Sequence, residues 1–476
     1  MASTVTQRTD AARAAVASMR VRQPDVARPP GPHGLAAALT MVSGQRPPHE
    51  FFAALAARHQ PLVYVPLGGE NVYVLFSPEA IWDVFVTNGR HTRKSLGLQM
   101  TRPLLGEGLL TADGATHLRH RRAIQPLFHN RRIEGYVDEM VSAAELTDRQ
   151  WTDGQHIDLA EAMSELTLDV IGRTIFGLDL RGEAPDVAAA LETVLSGFAR
   201  GIGPWSSPLS RVPTARRRRE IRAIEDLDAI VGDMIARREQ EIARGSAGAD
   251  LLTLLMEATG DDGKPVFTSD EVRDEAMTLV LAGHETTALA LTWSWNLLSH
   301  NPDVRSWLEE EIDALPQRPL VAGDLPALPR TYAVVAESMR LHPPAWILGR
   351  WLATDLRVAG WDLPRGSVVL ASQFALHRDK RFWTQADRFH PQRWLDAQGR
   401  FDERAPRVPR GAWFPFGFAT RRCIGEHFAW TEAVALLATL ARRWHLEVAS
   451  EPEPPMMSAI TLRPAVPLPT TVRARR

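Results

Sequence analysis

Apolar residues recur at helical spacing over most of the chain, and a few short runs depart from that pattern. Between residues 115 and 315, nearly every stretch repeats its apolar positions about every three to four residues, which predicts helices. Residues 62–67 and 71–76 are rich in β-branched and aromatic side chains and flank a Gly-Gly pair, which predicts a β-hairpin. Further strand-like runs lie at residues 356–358, 367–370 and 446–448. We therefore expect one mainly helical domain with a small sheet lobe.

A long apolar-periodic stretch begins at a capping-box pattern, Thr268 and Glu271, and ends at an Asn-Pro pair. Residues 282–287 in its middle read Ala-Gly-His-Glu-Thr-Thr, and the glycine and β-branched threonines are poor choices for helix propensity alone. A threonine hydroxyl can bond to a carbonyl one turn earlier and open a helix locally. Two interpretations follow: a helix kinked for packing, or a helix that presents an acid and an alcohol, Glu285 and Thr286, for proton delivery.

Composition restricts the class of protein. The 476 residues include 55 Lys and Arg against 57 Asp and Glu, so charge does not predict nucleic-acid binding. The single cysteine excludes an internal disulfide and fits a reducing compartment. There is no run of about 18 apolar residues and no signal-type apolar core near the N-terminus. We expect a cytoplasmic protein without a transmembrane anchor, with residues 1–34 as an N-terminal extension with a proline-rich lead-in and residues 35–476 as a single domain.

Cys423 has neighbours that suit a metal-bound thiolate. Three phenylalanines and two glycines bracket it in residues 414–425, and Arg421 stands two positions before it. A helical pattern starts just after it, so helix-start amides and nearby cations are expected to favour the thiolate, which is an axial ligand of haem iron. The alternative is a buried structural cysteine, but glycines also allow the backbone to pass close to a large flat group.

These residues resemble the haem-binding loop of the cytochrome P450 monooxygenases. The matching positions are Phe416, Ala419, Arg421, Cys423 and Gly425, with Ala419 in place of the usual glycine. The Ala-Gly-His-Glu-Thr-Thr run resembles the oxygen-handling motif of the same family at every position. The resemblance extends from about residue 49 to about residue 472. It implies the cytochrome P450 fold, a mainly α fold in which a helical lobe and a small β-sheet lobe surround a buried haem.

The resemblance also implies roles for single residues. Cys423 would bind the iron of haem b, and Phe416 would contact the haem from the same loop. Glu285 would relay protons and Thr286 would hydrogen-bond the bound oxygen. Partners of the haem propionates would be His117, Arg121, Arg350 and Arg421.

A second implied cluster is structural. Glu337 and Arg340 have i, i+3 spacing on a predicted helix and resemble the Glu-x-x-Arg motif of the family. Residues 388–394 resemble the loop that supplies a second arginine, Arg393, although Gln392 replaces the usual glutamate. We expect Glu337, Arg340 and Arg393 to form a buried cluster behind the haem.

The implied reaction inserts one oxygen atom from O2 into an apolar small molecule. The sequence has neither a glycine-rich nucleotide fingerprint nor an iron–sulfur cysteine set, so the electrons would come from a separate ferredoxin or flavodoxin and its NAD(P)H reductase. The expected basic docking face for that donor consists of Arg119, Arg122, Arg131, Arg132 and Arg422.

The implied substrate pocket is apolar and favours a terpenoid or similar secondary metabolite. Its expected lining is residues 93–106, Met277, Leu281, Ala282, residues 345–348, with Trp346 as one bulky contributor, and residues 457–460. The alternatives are a fatty-acid hydroxylase or a peroxygenase of the same fold, and, from another class, a non-catalytic haem-binding protein. Peroxygenases often lack the acid–alcohol pair that Glu285 and Thr286 supply.

Overall fold

The computed structural model describes residues 5, 7–10, 27–32, 46–67, 70–178, 187, 189–191, 193–194, 214–248, 250–260 and 262–475. The expected hairpin turn at residues 68–69 and most of the expected N-terminal extension lie outside these ranges. The division of the chain at residue 34 stays a prediction.

Helices make up most of the described chain. In chain order they are α1 Pro48–Ala56, α2 Pro78–Trp82, α3 Leu96–Gln99, α4 Arg102–Leu105, α5 Gly114–Ile124, α6 Asn130–Gln150, α7 Leu159–Ile175, α8 Ala215–Ala243, α9 Leu251–Met256, α10 Ser269–His300, α11 Pro302–Asp313, α12 Pro329–Leu341, α13 Gln373–His377 and α14 Glu426–Ala441.

Twelve strands lie among the described residues. They are β1 Leu62–Leu67, β2 Glu70–Leu75, β3 Thr92–Lys94, β4 His156–Asp158, β5 Ile347–Leu352, β6 Leu356–Val358, β7 Trp361–Leu363, β8 Val368–Ser372, β9 Trp444–Val448, β10 Met456–Ser458, β11 Leu462–Pro464 and β12 Pro469–Ala474.

The largest sheet has the order β1-β2-β8-β5-β3. Strands β1 and β2 are antiparallel, with Leu62 opposite Leu75, and β8 joins β2 in parallel. The predicted hairpin strands are confirmed, although β2 begins one residue earlier than expected. Residues 62–65 and 71–75 are buried on both faces of the sheet, because α1 and the loop before α14 supply a second apolar core separate from the helical one. This sheet lobe carries β3 and β5 to the site described below.

Helix α10 runs through the helical core, as its apolar pattern predicted. The Thr268 side chain accepts from the Glu271 amide at 3.2 Å, and the Glu271 carboxylate accepts from the Thr268 amide at 3.0 Å, so both partners of the capping box are present. Almost every side chain of residues 272–298 is buried, because the helix has neighbours on all sides. At about 1.5 Å per residue its 32 residues span roughly 48 Å.

The packing of α7 against α10 explains the glycine of the central motif. A Cβ on Gly283 would lie 2.5 Å from Cδ1 of Ile171, so any larger residue here would require the Ile171 side chain to move. The His284 imidazole meets the Ser164 hydroxyl at 2.7 Å, and the Thr167 hydroxyl donates to the His284 carbonyl at 3.2 Å. Tight packing therefore accounts for Gly283 and His284, and the interpretation of a helix shaped by packing holds for these two positions.

The expected charged cluster is present and buried. Arg340 donates to both carboxylate oxygens of Glu337, at 2.8 and 2.9 Å, and Arg393 donates to the same carboxylate at 3.1 Å. The backbone of His390 and the indole of Trp394 add two more donors, at 3.0 and 2.9 Å. Burial alone would raise the pKa of Glu337, but Arg340, Arg393 and the hydrogen bonds outweigh burial, and the pKa is lowered.

The basic run at residues 216–219 lies in the first turn of α8, where Arg216 and Arg217 pair with Glu220 at 3.1 and 3.4 Å. The apolar residues that follow are buried on the opposite face, so the run belongs to the solvated face of an amphipathic helix. Across the part of the chain that the structure describes, no helix is long and apolar enough to cross a membrane.

Candidate active site

The loop that contains Cys423 turns back on itself immediately before α14. The Cys423 amide donates to the Phe416 carbonyl at 2.8 Å, and the Gly417 amide donates to the Phe414 carbonyl at 3.1 Å. Gly417 has φ +73°, a conformation that glycine adopts without steric cost. Helix α14 begins three residues after the cysteine, as expected. The result is a rigid loop that leaves the Cys423 side chain exposed.

The surroundings of Cys423 favour the thiol when no metal is bound. The sulfur is reachable by solvent but lies deep among protein atoms, and this burial raises the pKa of the thiol to about 11. The Gly425 amide, Arg121 and Arg422 act in the opposite direction and do not outweigh burial. The expectation that amides and cations alone would hold the thiolate is therefore wrong. A bound metal cation would supply the missing charge, because a coordinating thiol is deprotonated.

Ala419 occupies a backbone conformation that suits glycine. Its φ is +50°, in the left-handed region, at the start of the 3₁₀ turn Ala419–Arg421 that leads to the cysteine. Left-handed geometry costs a residue with a Cβ about 1–2 kcal/mol. Ala419 in place of the usual glycine therefore adds backbone strain to this turn, which still adopts the left-handed conformation.

A cluster of cations lies beside this loop, on β3, β5, α5 and the 3₁₀ turn. Lys94 of β3 is directly opposite Arg350 of β5 in the sheet register. Arg421 forms an ion pair with Asp113 at 2.5 Å and donates to the Thr92 carbonyl at 3.3 Å. Asp113 also accepts from the Lys94 amide at 2.9 Å. Asp113 is therefore paired with Arg421. It also acts at longer range on Lys94 and Arg350, and Glu275 acts on Lys94 as well.

The cations suppress one another's protonation. Burial, then Arg421, lowers the pKa of Lys94 to about 7, and the same two causes lower that of Arg350 to about 9. Asp113 opposes both shifts and does not cancel them. The buried Nη1 of Arg421 has no hydrogen-bond partner within the described chain. This excess of buried positive charge is what an anionic ligand with two carboxylates, such as haem, would neutralise.

His117 and Arg121 of α5 join the same region in different ways. Burial, with Lys94, Arg421 and Arg121, lowers the pKa of His117 to about 3, so the imidazole is neutral and would offer an N–H donor, not a charge. Arg121 donates to the carbonyl of Arg422, the residue before Cys423, at 2.7 Å. Arg121 therefore connects the cation cluster to the cysteine loop.

Lys94 lies within residues 93–106, the expected pocket lining, but nothing in the sequence placed it beside the propionate partners. It is 5% exposed, and its ammonium donates to the Leu109 carbonyl. It lies in a three-residue strand with no periodicity to detect, and a lysine in such a run is ordinarily at the surface. Only the pairing of β3 with β5 brings it to Arg350.

The acid–alcohol pair lies where α10 meets an open space. Ala282 is exposed, although the rest of the helix centre is buried, and the Thr286 hydroxyl donates to the Ala282 carbonyl at 2.7 Å. This is the hydrogen bond from a threonine hydroxyl to a carbonyl one turn earlier that the motif predicts. The Glu285 carboxylate accepts from the Thr461 hydroxyl at 2.7 Å, and Nη1 of Arg463 lies 4.0 Å from the same oxygen. Neither Thr461 nor Arg463 was predicted.

The expected pocket residues are not equally available. Met277 is 0% exposed and Leu281 is 5% exposed, whereas Ala282 is open. Trp346 is buried in the sheet lobe, where its indole donates to the Ala459 carbonyl at 2.9 Å and packs on Phe52. It holds the pocket wall in place and offers little open surface. Cavities of about 450 Å³ beside Asp250 and about 380 Å³ beside Tyr332 lie elsewhere and contain none of the predicted site residues.

An exposed cysteine on a rigid loop, a cluster of cations beside it and a polar stretch in the middle of a core helix are the features that a haem-thiolate protein requires. The family model for cytochrome P450 matches residues 28–470, and the chain belongs to that family. It is an oxidoreductase of the monooxygenase class, with haem as its cofactor, and it requires O2 and a redox partner. The fold class, the family and the cofactor expected from the sequence are thereby confirmed.

Three curated relatives cover most of the chain. Cyclooctatin synthase of Streptomyces melanosporofaciens is 36% identical over 87% of this chain and 89% of its own length. Cyclooctat-9-en-7-ol 5-monooxygenase of the same organism is 34% identical over 84% of this chain and 85% of its own length. Pentalenene oxygenase of Streptomyces avermitilis is 33% identical over 85% of this chain and 88% of its own length.

Proposed function

We propose that this chain oxygenates an apolar, terpenoid-like molecule at a haem held by Cys423. The observation that carries the proposal is the exposed Cys423 thiol beside the cations Lys94, Arg350 and Arg421, of which Arg421 is paired with Asp113. Cys423 binds the iron, and Phe416 contacts the haem from the cysteine loop. The side chains that bind the propionates are Lys94, Arg121, Arg350, Arg421 and a neutral His117. Bound haem supplies the transfer of one oxygen atom from O2 to carbon once two electrons have arrived.

In this proposal, Glu285 and Thr286 take part in proton transfer. The Thr286 hydroxyl donates to the Ala282 carbonyl, so its oxygen keeps lone pairs that can accept a hydrogen bond from water or substrate-side donors. Rotation about χ1 turns the hydroxyl from the carbonyl toward the open side of the helix, where it becomes a donor. Glu285, one residue earlier, exchanges protons with water on that side. This pair favours an O2-driven monooxygenase over a peroxygenase or a haem carrier, neither of which needs it.

The electron donor that we propose is a ferredoxin or flavodoxin with its NAD(P)H reductase, docking on arginines near the cysteine loop. Arg122, Arg131 and Arg132 are exposed and have no carboxylate partner within the described ranges. Arg119 pairs with Glu271 and Arg422 pairs with Glu426, so these two contribute less net charge than the sequence suggested. The three unpaired arginines are the part of the expected face that best fits an acidic donor.

The substrate class rests on apolar lining and on relatives. Ile460 and Met457 are half-buried on a hairpin near α10, and Ala282 is open on the helix. Two of the relatives are named for oxygenation of cyclooctat-9-en-7-ol and of pentalenene. These names favour a cyclic terpenoid over a fatty acid, and Arg463, on the same hairpin as Ile460, lies beside Glu285.

The test is spectroscopic and then catalytic. The reduced, carbon-monoxide-bound protein is expected to show the red-shifted Soret band of thiolate ligation, and Cys423→Ala is expected to lose it. A panel of cyclic terpenes and fatty acids is then screened for a substrate-induced shift of the haem band and for product with a ferredoxin system. A Soret band of histidine ligation in the wild type contradicts the ligand assignment, and binding confined to fatty acids contradicts the substrate class.

A further inference from the structure

A C-terminal hairpin holds the acid of the acid–alcohol pair. Strands β10 and β11 are antiparallel, with Ser458 opposite Leu462, so that residues 459–461 form the turn. Thr461 is 5% exposed in this turn, and its hydroxyl donates to Oε1 of Glu285 at 2.7 Å. Arg463, two residues on, is also buried and brings its guanidinium to 4.0 Å from the same oxygen. One hydroxyl and one cation thus act on one carboxylate oxygen.

The turn that carries Thr461 is fixed by three contacts from other elements. The Trp346 indole donates to the Ala459 carbonyl at 2.9 Å, and the Trp293 indole, from α10 itself, donates to the Leu462 carbonyl at 3.2 Å. The Leu462 amide donates to the Pro344 carbonyl at 2.9 Å. These hydrogen bonds fix the Thr461 hydroxyl relative to α10. The contact with Glu285 is thus one of several that hold the hairpin against the helix.

These contacts favour the ionised form of Glu285. A donor hydrogen bond to a carboxylate and a nearby cation both stabilise the charge and reduce its affinity for a proton. The side chains of Arg463 and Glu285 are only 10% and 12% exposed, so solvent screens their interaction weakly. His284, the neighbour of Glu285 in sequence, binds Ser164 of α7 and is neutral, since burial lowers its pKa to about 4. A proton on Glu285 would remove this charge and weaken the attraction to Arg463.

We propose that Thr461, supported by Arg463, is the positioning residue that holds Glu285 in place and stabilises its carboxylate form. Ile460, in the same turn, and Met457, on β10, are half-buried apolar residues of the proposed substrate pocket, so the hairpin that positions Glu285 also lines that pocket. The inference rests on the proposed proton-relay role of Glu285.

The first measurement titrates Glu285 directly in the haem-loaded protein. Infrared difference spectra of wild type against Glu285→Gln isolate its carboxyl band across pH. Thr461→Val removes the hydroxyl at nearly constant volume, and we expect it to raise the pKa of Glu285 by about one unit, a tenfold gain in proton affinity. Thr461→Ser keeps the hydroxyl and is expected to titrate like the wild type.

The second measurement follows the pH profile of product formed per electron pair. If protonated Glu285 is the form that delivers protons, the alkaline limb is expected to move up by about one pH unit in Thr461→Val and to stay in place in Thr461→Ser. A hydroxyl that only stabilises the hairpin would change substrate affinity and leave the limb unmoved.

The outcomes separate this inference from the proposed function. An unchanged carboxyl titration in Thr461→Val would show that Thr461 does not stabilise the Glu285 carboxylate, whatever the activity of the variant. A wild type that makes no product with donor and substrate panel defeats the proposed function, while the infrared titration still decides on the role of Thr461. If the valine variant folds poorly, Arg463→Met is expected to shift the titration in the same direction, and no shift there contradicts the inference.

Discussion

Lys94 and Arg350 lie opposite each other in the paired strands β3 and β5, although both carry positive charge. Like charges directly across a strand pair are destabilising, and these two are 5% and 7% exposed, so water relieves little of the repulsion. Asp113 offsets part of it. This repulsion is consistent with the proposed role of the pair, in which the haem propionates would neutralise it.

Lys94→Met is expected to speed haem loss. Methionine keeps the length and apolar stem of lysine and removes the charge and the donor that face the propionates. We expect haem transfer to a scavenging protein to become about tenfold faster, which corresponds to about 1.4 kcal/mol. Lys264→Met, at a lysine that is 80% exposed, is the control and is expected to change nothing. Equal rates for the two variants would show that Lys94 does not contact the cofactor.

Glu337→Ala is expected to abolish most of the folded haem protein. The change strands two arginines, of which Arg340 is 0% exposed, at a cost of about 3–5 kcal/mol. The matched control is Glu310→Ala, which removes a surface partner of Arg330 and is expected to cost less than about 1 kcal/mol. Yield of haem-containing protein and Tm are the measurements. Normal haem content in the Glu337 variant would contradict the structural role of the cluster.

Thr286→Ala is expected to uncouple electron consumption from product formation. The variant keeps Cys423 and loses one hydroxyl, so folding, haem content and the substrate-induced spectral shift are expected to match the wild type. Product per electron pair is expected to fall by on the order of tenfold or more, with hydrogen peroxide released in its place. Thr286→Ser retains the hydroxyl and is the control. Unchanged coupling in the alanine variant would show that Thr286 is a packing residue.

Glu432→Gln is expected to remove part of the pH dependence of stability. Burial raises the pKa of Glu432 from 4.5 to about 8, and neither carboxyl oxygen has a hydrogen bond of good geometry, although the Thr287 hydroxyl lies close. Between these two pH values the folded protein keeps the proton and the unfolded chain loses it. The free energy of unfolding therefore falls as pH rises from about 4.5 to about 8, by at most about 1.4 kcal/mol per pH unit.

Urea unfolding of wild type and Glu432→Gln at pH 5, 6, 7 and 8 measures the difference. Glutamine cannot ionise, so the variant is expected to lose less stability than the wild type over this range. Parallel curves for the two proteins would mean that Glu432 is already ionised in the folded state.

Local signals in the sequence predicted the elements that local physics determines. Helix α10 was predicted because its capping box and the helical spacing of its apolar residues both lie within one continuous segment of the sequence. The pairing of Glu337 with Arg340 was predicted because i, i+3 residues share a helix face. Strand β2 was shifted by one residue, which is the usual uncertainty at a terminus.

Non-local contacts account for what the sequence did not reveal. Lys94 lies opposite Arg350 only when β3 pairs with β5, and Thr461 reaches Glu285 only when its hairpin packs on α10. Neither residue lies in a motif or a periodic stretch. The effect of burial on the metal-free Cys423 thiol was also missed, because burial depends on the whole fold and outweighs the nearby amide and cations.

The contact between Glu285 and Thr461 joins residues 176 positions apart, and that between Arg121 and the Arg422 carbonyl joins residues 301 apart. During synthesis, the core helix with its acid and alcohol leaves the ribosome long before the cysteine loop and the last hairpin do. Contacts of such separation form late, because the entropy of closing a long loop is lost before the contact is gained. The nascent chain therefore cannot complete a haem site until Arg422, 301 residues after Arg121, has left the ribosome, and haem insertion follows that point.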